Sequence, residues 1–476
     1  MFGLALIALA AYWHFLRSGP EPRVWHETAL RDFTAADADR IATLADYLEL
    51  EDRLFAELQD RVHRRIEATD RTVFNRYNEG SRADPGIWPV NWNRSFHLQP
   101  APADGAPRGV ALLLHGLTDS PYSLRSIGEH LAADGLEVVG LRLPGHGTAP
   151  SGLVTFRVED MQAAVRMAML DLGRRAGPDR PIYMVGYSNG AALAVDYTLT
   201  ALEDQALPRP AGLVLISPAI GIARIAAVAQ LRTGLSSVPG FERAAWQVIQ
   251  AEFDPYKYNS FSFNAAGETH RLTRRVSSRV LELAKGGVVE GFPPVLVFLS
   301  TVDSTVRAEA VVDALLEHLA PGDHELVLFD VNRYSMAQQL LVDDPAPLTQ
   351  RLLTMPQRPF GLTVITNLSM DTLQVKELRA PHGSDEQAVR PLELFWPRTV
   401  FSLSHVALPF PPDDPLYGLE PATVADHVQL GRIEVRGENG VLTLPTWVLT
   451  RQRSNPFHAY LVERLDAFVA SRDPQP

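Results

Sequence analysis

From Gly109 onward the chain alternates short, nearly unbroken apolar runs with longer stretches of helical periodicity. Val110–Leu114, Glu137–Leu141, Ile182–Gly186, Gly212–Ile216, Pro294–Leu299 and Glu325–Phe329 are such runs. Their apolar character over successive residues predicts strands covered on both faces, because a strand with one wet face would alternate with period two. Strands of this kind separated by helical segments predict a mostly parallel sheet with crossover helices, here a domain spanning residues 101–470. A long stretch, about 219–291, parts the fourth run from the fifth and contains IARIAAVAQLRTGL and RLTRRVSSRVLELA, the place expected for a helical lid. A second insertion, about 331–400, holds another strand-like run, Leu362–Thr366.

Upstream, Thr34-Ala-Ala-Asp37 offers a capping-box-like start for a helix bearing Ile41, Leu44, Leu48, Leu54, Phe55 and Leu58 and reaching about Arg71. We expect this extension, residues 34–100, to pack on the body rather than act as a spacer or dimer face. Residues 1–33 form an N-terminal segment and linker, opening with MFGLALIALAAYWHFL, a run without Asp, Glu, Lys or Arg. As a helix it would measure about 24 Å against the ~30 Å hydrocarbon core of a bilayer. Tyr12, Trp13 and Arg17 resemble an interfacial border. The expectation is an N-terminal apolar helix retained as a membrane anchor, with a cleaved signal or an ordinary buried helix as the other readings.

Composition narrows the class. Apolar residues make up 46% and charged residues 21%, so a folded core is affordable and a disordered chain is not indicated. The net charge of −12 and the lack of any basic run argue against nucleic acid as a partner. With no cysteine, disulfides, thiolate nucleophiles and thiolate-bound zinc are excluded. No His-Glu-x-x-His pair occurs, so neither a metal nor another cofactor is expected.

The chemistry concentrates at Gly186-Tyr187-Ser188-Asn189-Gly190, which follows one apolar run and precedes AALAVDYTL. A serine on a tight strand-to-helix turn needs small neighbours, and the helix that follows points its first amides at the reacting oxygen. Ser188 is therefore the expected nucleophile. Serine needs a base to take its proton and a carboxylate to orient that base, in the chain order serine, acid, histidine. Asp303, at the end of PPVLVFLSTVD, is the expected acid, with a helix N-cap as its other role and Asp330 as its rival. Among His318, His324, His382, His405, His427 and His458, His405 is the expected base, because VFSLSHVALPF breaks from a strand-like run into a proline-rich loop; His382 competes. The oxyanion hole should combine the Asn189 amide with that of Leu117, in the loop after the first core strand. His115 is expected to serve structure rather than catalysis.

The run LLLHGLTDSPYSLRSIGEHLAADGLEVVGLRLPGHG, together with the Ser188 elbow, resembles the α/β-hydrolases of the monoglyceride lipase, carboxylesterase and serine aminopeptidase group. The likeness covers Arg108 to about Ala219 and extends less closely to the Asp303 strand. It implies an α/β-hydrolase fold with Ser188, Asp303 and His405 as catalytic triad, and Leu117 and Asn189 as amide donors. It makes Leu143-Pro144-Gly145-His146-Gly147 a structural loop in which His146 does not react. The implied activity is hydrolysis of small-molecule or lipid esters through an acyl-enzyme. A peptidase or acyltransferase on the same triad, or a membrane-tethered binding protein, are the alternatives. Asp303 and His405 lie 102 residues apart, where the group usually needs only a few tens, so the 331–400 insertion separates acid from base.

Overall fold

The computed structural model describes residues 20–100, 107–221, 242–303, 305–334, 345–384, 386–398, 400–419, 426–431 and 453–472. The expected N-terminal apolar helix lies outside them. No helix among the described residues is long and apolar enough to cross a membrane.

Every apolar run forms a strand within one residue of its expected bounds. In chain order the strands are β1 (Phe96–Leu98), β2 (Gly109–Leu114), β3 (Leu136–Leu141), β4 (Ile182–Tyr187), β5 (Gly212–Ile216), β6 (Trp246–Val248), β7 (Phe261–Ser262), β8 (Val295–Ser300), β9 (Glu325–Phe329), β10 (Gly361–Asn367), β11 (Gln374–Ala380) and β12 (Ala388–Phe395). Ten of them make one sheet in the order β1-β3-β2-β4-β5-β8-β9-β10-β11-β12, while β6 and β7 pair as a separate ribbon. β3 to β10 in that order run parallel; β1, β11 and β12 are antiparallel to their neighbours.

The helices are α1 (Leu44–Arg61), α2 (Arg125–Ala133), α3 (Val158–Ala176), α4 (Asn189–Glu203), α5 (Phe263–Leu283), α6 (Ala308–Ala314), α7 (Ala346–Leu353) and α8 (His458–Ala470). Alternate strand residues feed two cores, as the period of two demands. Val110, Leu112 and Leu114 face the layer of α3 to α7, whereas Ala111 and Leu113 face α2 and α8. Cover on both faces is why these strands carry no polar alternation.

Two expectations change. The Thr34 capping box forms, but it closes only a single turn, Ala35–Asp37. The long helix starts at Thr43, whose hydroxyl accepts from the Asp46 amide while Asp46 accepts from the Thr43 amide. Both sites have the local chemistry of a helix start; the burial of Leu44 and Tyr47 against the core fixes the second. The helical lid is also altered. Residues 222–241 lie outside the described residues, and RLTRRVSSRVLELA belongs to α5, which buries Leu272, Val276 and Val280 and reaches Asp196 and Thr200 of α4 through Arg275 and Arg279. That helix is part of the body.

The extension is joined to the core through charge. Arg142, directly after β3, is fully buried; Asp32 grips its guanidinium at 2.9 and 2.7 Å, and Glu51 of α1 accepts from its Nε at 2.9 Å. Removing one partner of such a buried group typically costs about 3–5 kcal/mol, because the other charge stays desolvated. Residues 32 and 51 are thus tied to the loop that follows β3.

The 331–400 insertion extends the sheet. It supplies α7 and the strands β10 to β12, then returns to where it left. Asn332, just past β9, donates from its backbone amide to Phe401 O at 2.8 Å and from Nδ2 to Val400 O at 3.0 Å. The two ends of the insertion are thereby hydrogen-bonded together, and the chain resumes at the sheet rim before Ser404 and His405.

Candidate active site

β4 ends at Tyr187 and α4 begins at Asn189, leaving Ser188 alone on the turn with φ +52° and ψ −112°. This conformation is sparsely populated for a residue with a side chain and has to be held by its surroundings. The Ser188 amide donates to Ile216 O at 2.9 Å, and Ser188 O accepts from the Ala219 amide at 3.0 Å. The flanking glycines are sterically required. A Cβ on Gly186 would lie 2.4 Å from the Ala191 Cα, and one on Gly190 would lie 2.0 Å from Leu114 O. The side chain of Ser188 therefore stands at the rim where the parallel strands end, over the start of a helix whose first amides have no intrahelical partner.

Asp303 lies three residues past β8 on the same rim. It is buried, and its Oδ1 accepts from the amides of Thr305 and Val306 at 2.8 and 2.9 Å. The expected capping role is real but local: it closes a turn, while α6 starts later at Ala308. The same oxygen lies 3.5 Å from His405 Nδ1. That is longer than a hydrogen bond, and Asp303 Oδ2 and His405 Nδ1 have no hydrogen-bond partner among the described residues. A buried carboxylate beside an unpartnered ring nitrogen is the arrangement that orients an imidazole, and such contacts tighten when substrate binds. The His405 ring lies 6.3 Å, centroid to centroid, from that of Tyr187, the residue before Ser188.

The rivals are engaged or misplaced. Asp330 is held by Arg333 at 2.5 and 3.1 Å and by Thr366 at 2.8 Å. His382 lies exposed beyond β11, whose last residue, Ala380, pairs with Leu362 at the start of β10. That is the opposite end of the sheet from Ser188, where His324 also sits before β9. His427 stacks on Trp88 at 3.8 Å, and His458 is buried in the first turn of α8. His318 lies in the turn Leu316–His318, between α6 and β9.

Leu117 follows Gly116 in the loop after β2, and its amide makes no hydrogen bond among the described residues. His115 braces this loop. Its Nε2 accepts from the Leu143 amide at 3.0 Å and its Nδ1 lies 2.8 Å from Gly116 O, which assigns the proton to Nδ1. Burial holds this imidazole well below its ordinary pKa, so it is neutral. His146 is likewise buried, bonded to Pro144 O and pushed down to about 4. Sequence reasoning did not find the residues that grip the loop from outside. The Tyr258 amide donates to Thr118 O at 2.8 Å, and Lys257 Nζ donates to Asp119 Oδ1 at 2.9 Å. The partners are about 140 residues apart, and no local pattern links them.

Residues 105–333 match the family described as serine aminopeptidase, S33. Over 129 residues the chain is 34% identical to a thermostable monoacylglycerol lipase of Bacillus sp. (strain H-257), a stretch covering 27% of this chain and 48% of that protein. The chain thus spans about half the length of this curated relative. Among solved structures it resembles a metagenome-derived lipolytic enzyme from work on LipS and LipT, at 20% identity and a TM-score of 0.39, covering 50% of this chain and 88% of the other. A monoacylglycerol lipase of Paleococcus ferrophilus is similar at 19% identity and a TM-score of 0.37, covering 50% and 88%. With its parallel sheet and serine elbow, the part of the chain that matches this family, residues 105–333, is similar to α/β-hydrolases of the monoacylglycerol lipase and esterase group.

Proposed function

We propose that this chain is a serine hydrolase that cleaves carboxylic esters, with lipid-like esters as its substrate class. Ser188 attacks the ester carbonyl, His405 takes its proton and later returns it to the leaving alcohol, and Asp303 steadies the imidazolium. The amides of Leu117 and Asn189 receive the oxyanion. Water then releases the acyl group by the same relay. The observation that carries this reading is the approach of Asp303 and His405 to 3.5 Å on the rim that bears the Ser188 elbow. The lipid character is supported by the monoacylglycerol lipase to which part of the chain is similar.

The test is a panel of monoacylglycerols, short acyl esters and aminoacyl amides, run with wild type and Ser188→Ala beside fluorophosphonate labelling. Wild type should hydrolyse esters in preference to amides and label at Ser188, and Ser188→Ala should lose at least about a thousandfold in kcat. Turnover retained in Ser188→Ala would refute the nucleophile. Preference for amides would favour the peptidase reading that the family description names. The uncharged run Met1–Leu16 supports attachment to a membrane, which fractionation of the full chain would test.

A further inference from the structure

The loop carrying Leu117 is held in a conformation it would not keep alone. Thr118 has φ +64°, a region in which a β-branched residue is strained. Gly116 has no room for a side chain, since a Cβ there would lie 2.6 Å from Asp119 Oδ2 and 2.9 Å from the Tyr187 ring. Relaxation of either residue would turn the Leu117 amide. Two contacts oppose this from outside, and both come from neighbouring residues in the segment joining β6 to β7: Tyr258 N to Thr118 O, and Lys257 Nζ to Asp119 Oδ1. That dipeptide is itself fixed. Lys257 O accepts from Arg76 Nη1 at 3.3 Å, and the Tyr258 phenol oxygen accepts from the Thr148 amide at 2.7 Å. Arg76 is buried and also holds Asp254 O and Asn93 Oδ1. Asp119 is 5% exposed, so its carboxylate has little water to replace the ammonium. Lysine occurs in this chain only at 257, 285 and 376.

We propose that the Lys257–Asp119 ion pair and the adjoining Tyr258–Thr118 hydrogen bond form a clamp that positions the Leu117 amide as an oxyanion donor. The segment between β6 and β7 then serves the transition state and does not merely cover the substrate. The inference rests on the serine-hydrolase reading. Lys257 is a positioning residue, acting through Leu117. Its effect belongs to the state in which charge has reached the carbonyl oxygen, so it enters kcat rather than KM.

The experiment compares wild type, Lys257→Met, Lys257→Arg and Asp119→Asn in ester hydrolysis and in binding of an alkylboronic acid, whose tetrahedral adduct with a serine presents an oxygen to the oxyanion donors. Lys257→Met should lower kcat about tenfold or more with KM within about twofold, and should weaken boronate binding by a similar factor. Lys257→Arg should recover most of the loss, and Asp119→Asn should repeat it. If Lys257→Met does not fold, Asp119→Asn carries the same test. A folded variant with unchanged kcat and boronate affinity overturns the clamp alone, as does a kcat loss with unchanged boronate affinity. A wild type that neither turns over esters nor labels at Ser188 overturns the hydrolase reading and the clamp with it.

Discussion

Asn332→Ala tests whether closure of the 331–400 insertion sets the position of His405. The side chain is buried, and Ala removes three hydrogen bonds: Nδ2 to Val400 O at 3.0 Å, and Oδ1 from the Tyr334 amide and from Asn367 Nδ2, both at 3.1 Å. At about 1 kcal/mol net each, the loss is about 3 kcal/mol, with more added if the stranded partners find no water. A domain of ordinary stability, about 5–15 kcal/mol, survives this. The backbone bond from Asn332 to Phe401 O remains, so the insertion should loosen without detaching. His405 lies only five residues past Val400. A shift of about 1 Å in a reacting group can cost about a hundredfold, so kcat should fall at least about tenfold while KM changes little. Urea denaturation gives the stability change and ester hydrolysis gives kcat. Full destabilisation with unchanged kcat would refute the link between insertion closure and base placement.

The triad assignment predicts that His405→Ala loses activity nearly as fully as Ser188→Ala and that the double variant is little worse, since one relay is broken once; His382→Ala should stay near wild type in the same assay. An inactive His382→Ala beside an active His405→Ala would reverse the assignment. Stability should also fall on acidification. Burial lowers His26 to about 3 and His146, His324 and His458 to about 4, while the unfolded chain takes up protons near 6.5. Their contribution is complete above about 6.5 and is lost toward pH 4, at up to about 1.4 kcal/mol per pH unit for each histidine. Urea midpoints measured from pH 7 to 4.5 should drop, and His324→Gln should make the slope shallower by about one proton. A flat profile would contradict the neutral, buried state of these rings.

The core strands and the elbow were legible because their causes are local. A strand covered on both faces must be apolar along its whole length, and β2, β3, β4, β5, β8, β9 and β10 advertise this in their own residues. The turn at Ser188 is likewise written in its two glycines and in the helix-forming run after it. The strands β1, β11 and β12 gave no such sign. β12 is an edge strand with one row of backbone groups unpaired and most of its side chains exposed, so nothing required it to be apolar. Thr34 and Thr43 both carry helix-start chemistry, and only the packing of Leu44 and Tyr47 chose between them.

The site divides in the same way. The turn at Ser188 could be read from its neighbours, whereas the positions of His405 and His382 depended on strand direction, which puts one histidine beside Asp303 on the rim that bears Ser188 and the other at the far end. The separation of 102 positions between Asp303 and His405 looked like an obstacle in the sequence; in the fold most of it is a detour that adds strands to the sheet and is closed at Asn332. The grip of Lys257 and Tyr258 on the Leu117 loop was invisible for the same reason. Backbone propensity and burial act over a few residues and leave periodic marks, but the meeting of distant side chains is decided by sheet order and loop closure, which arise only when the whole chain packs.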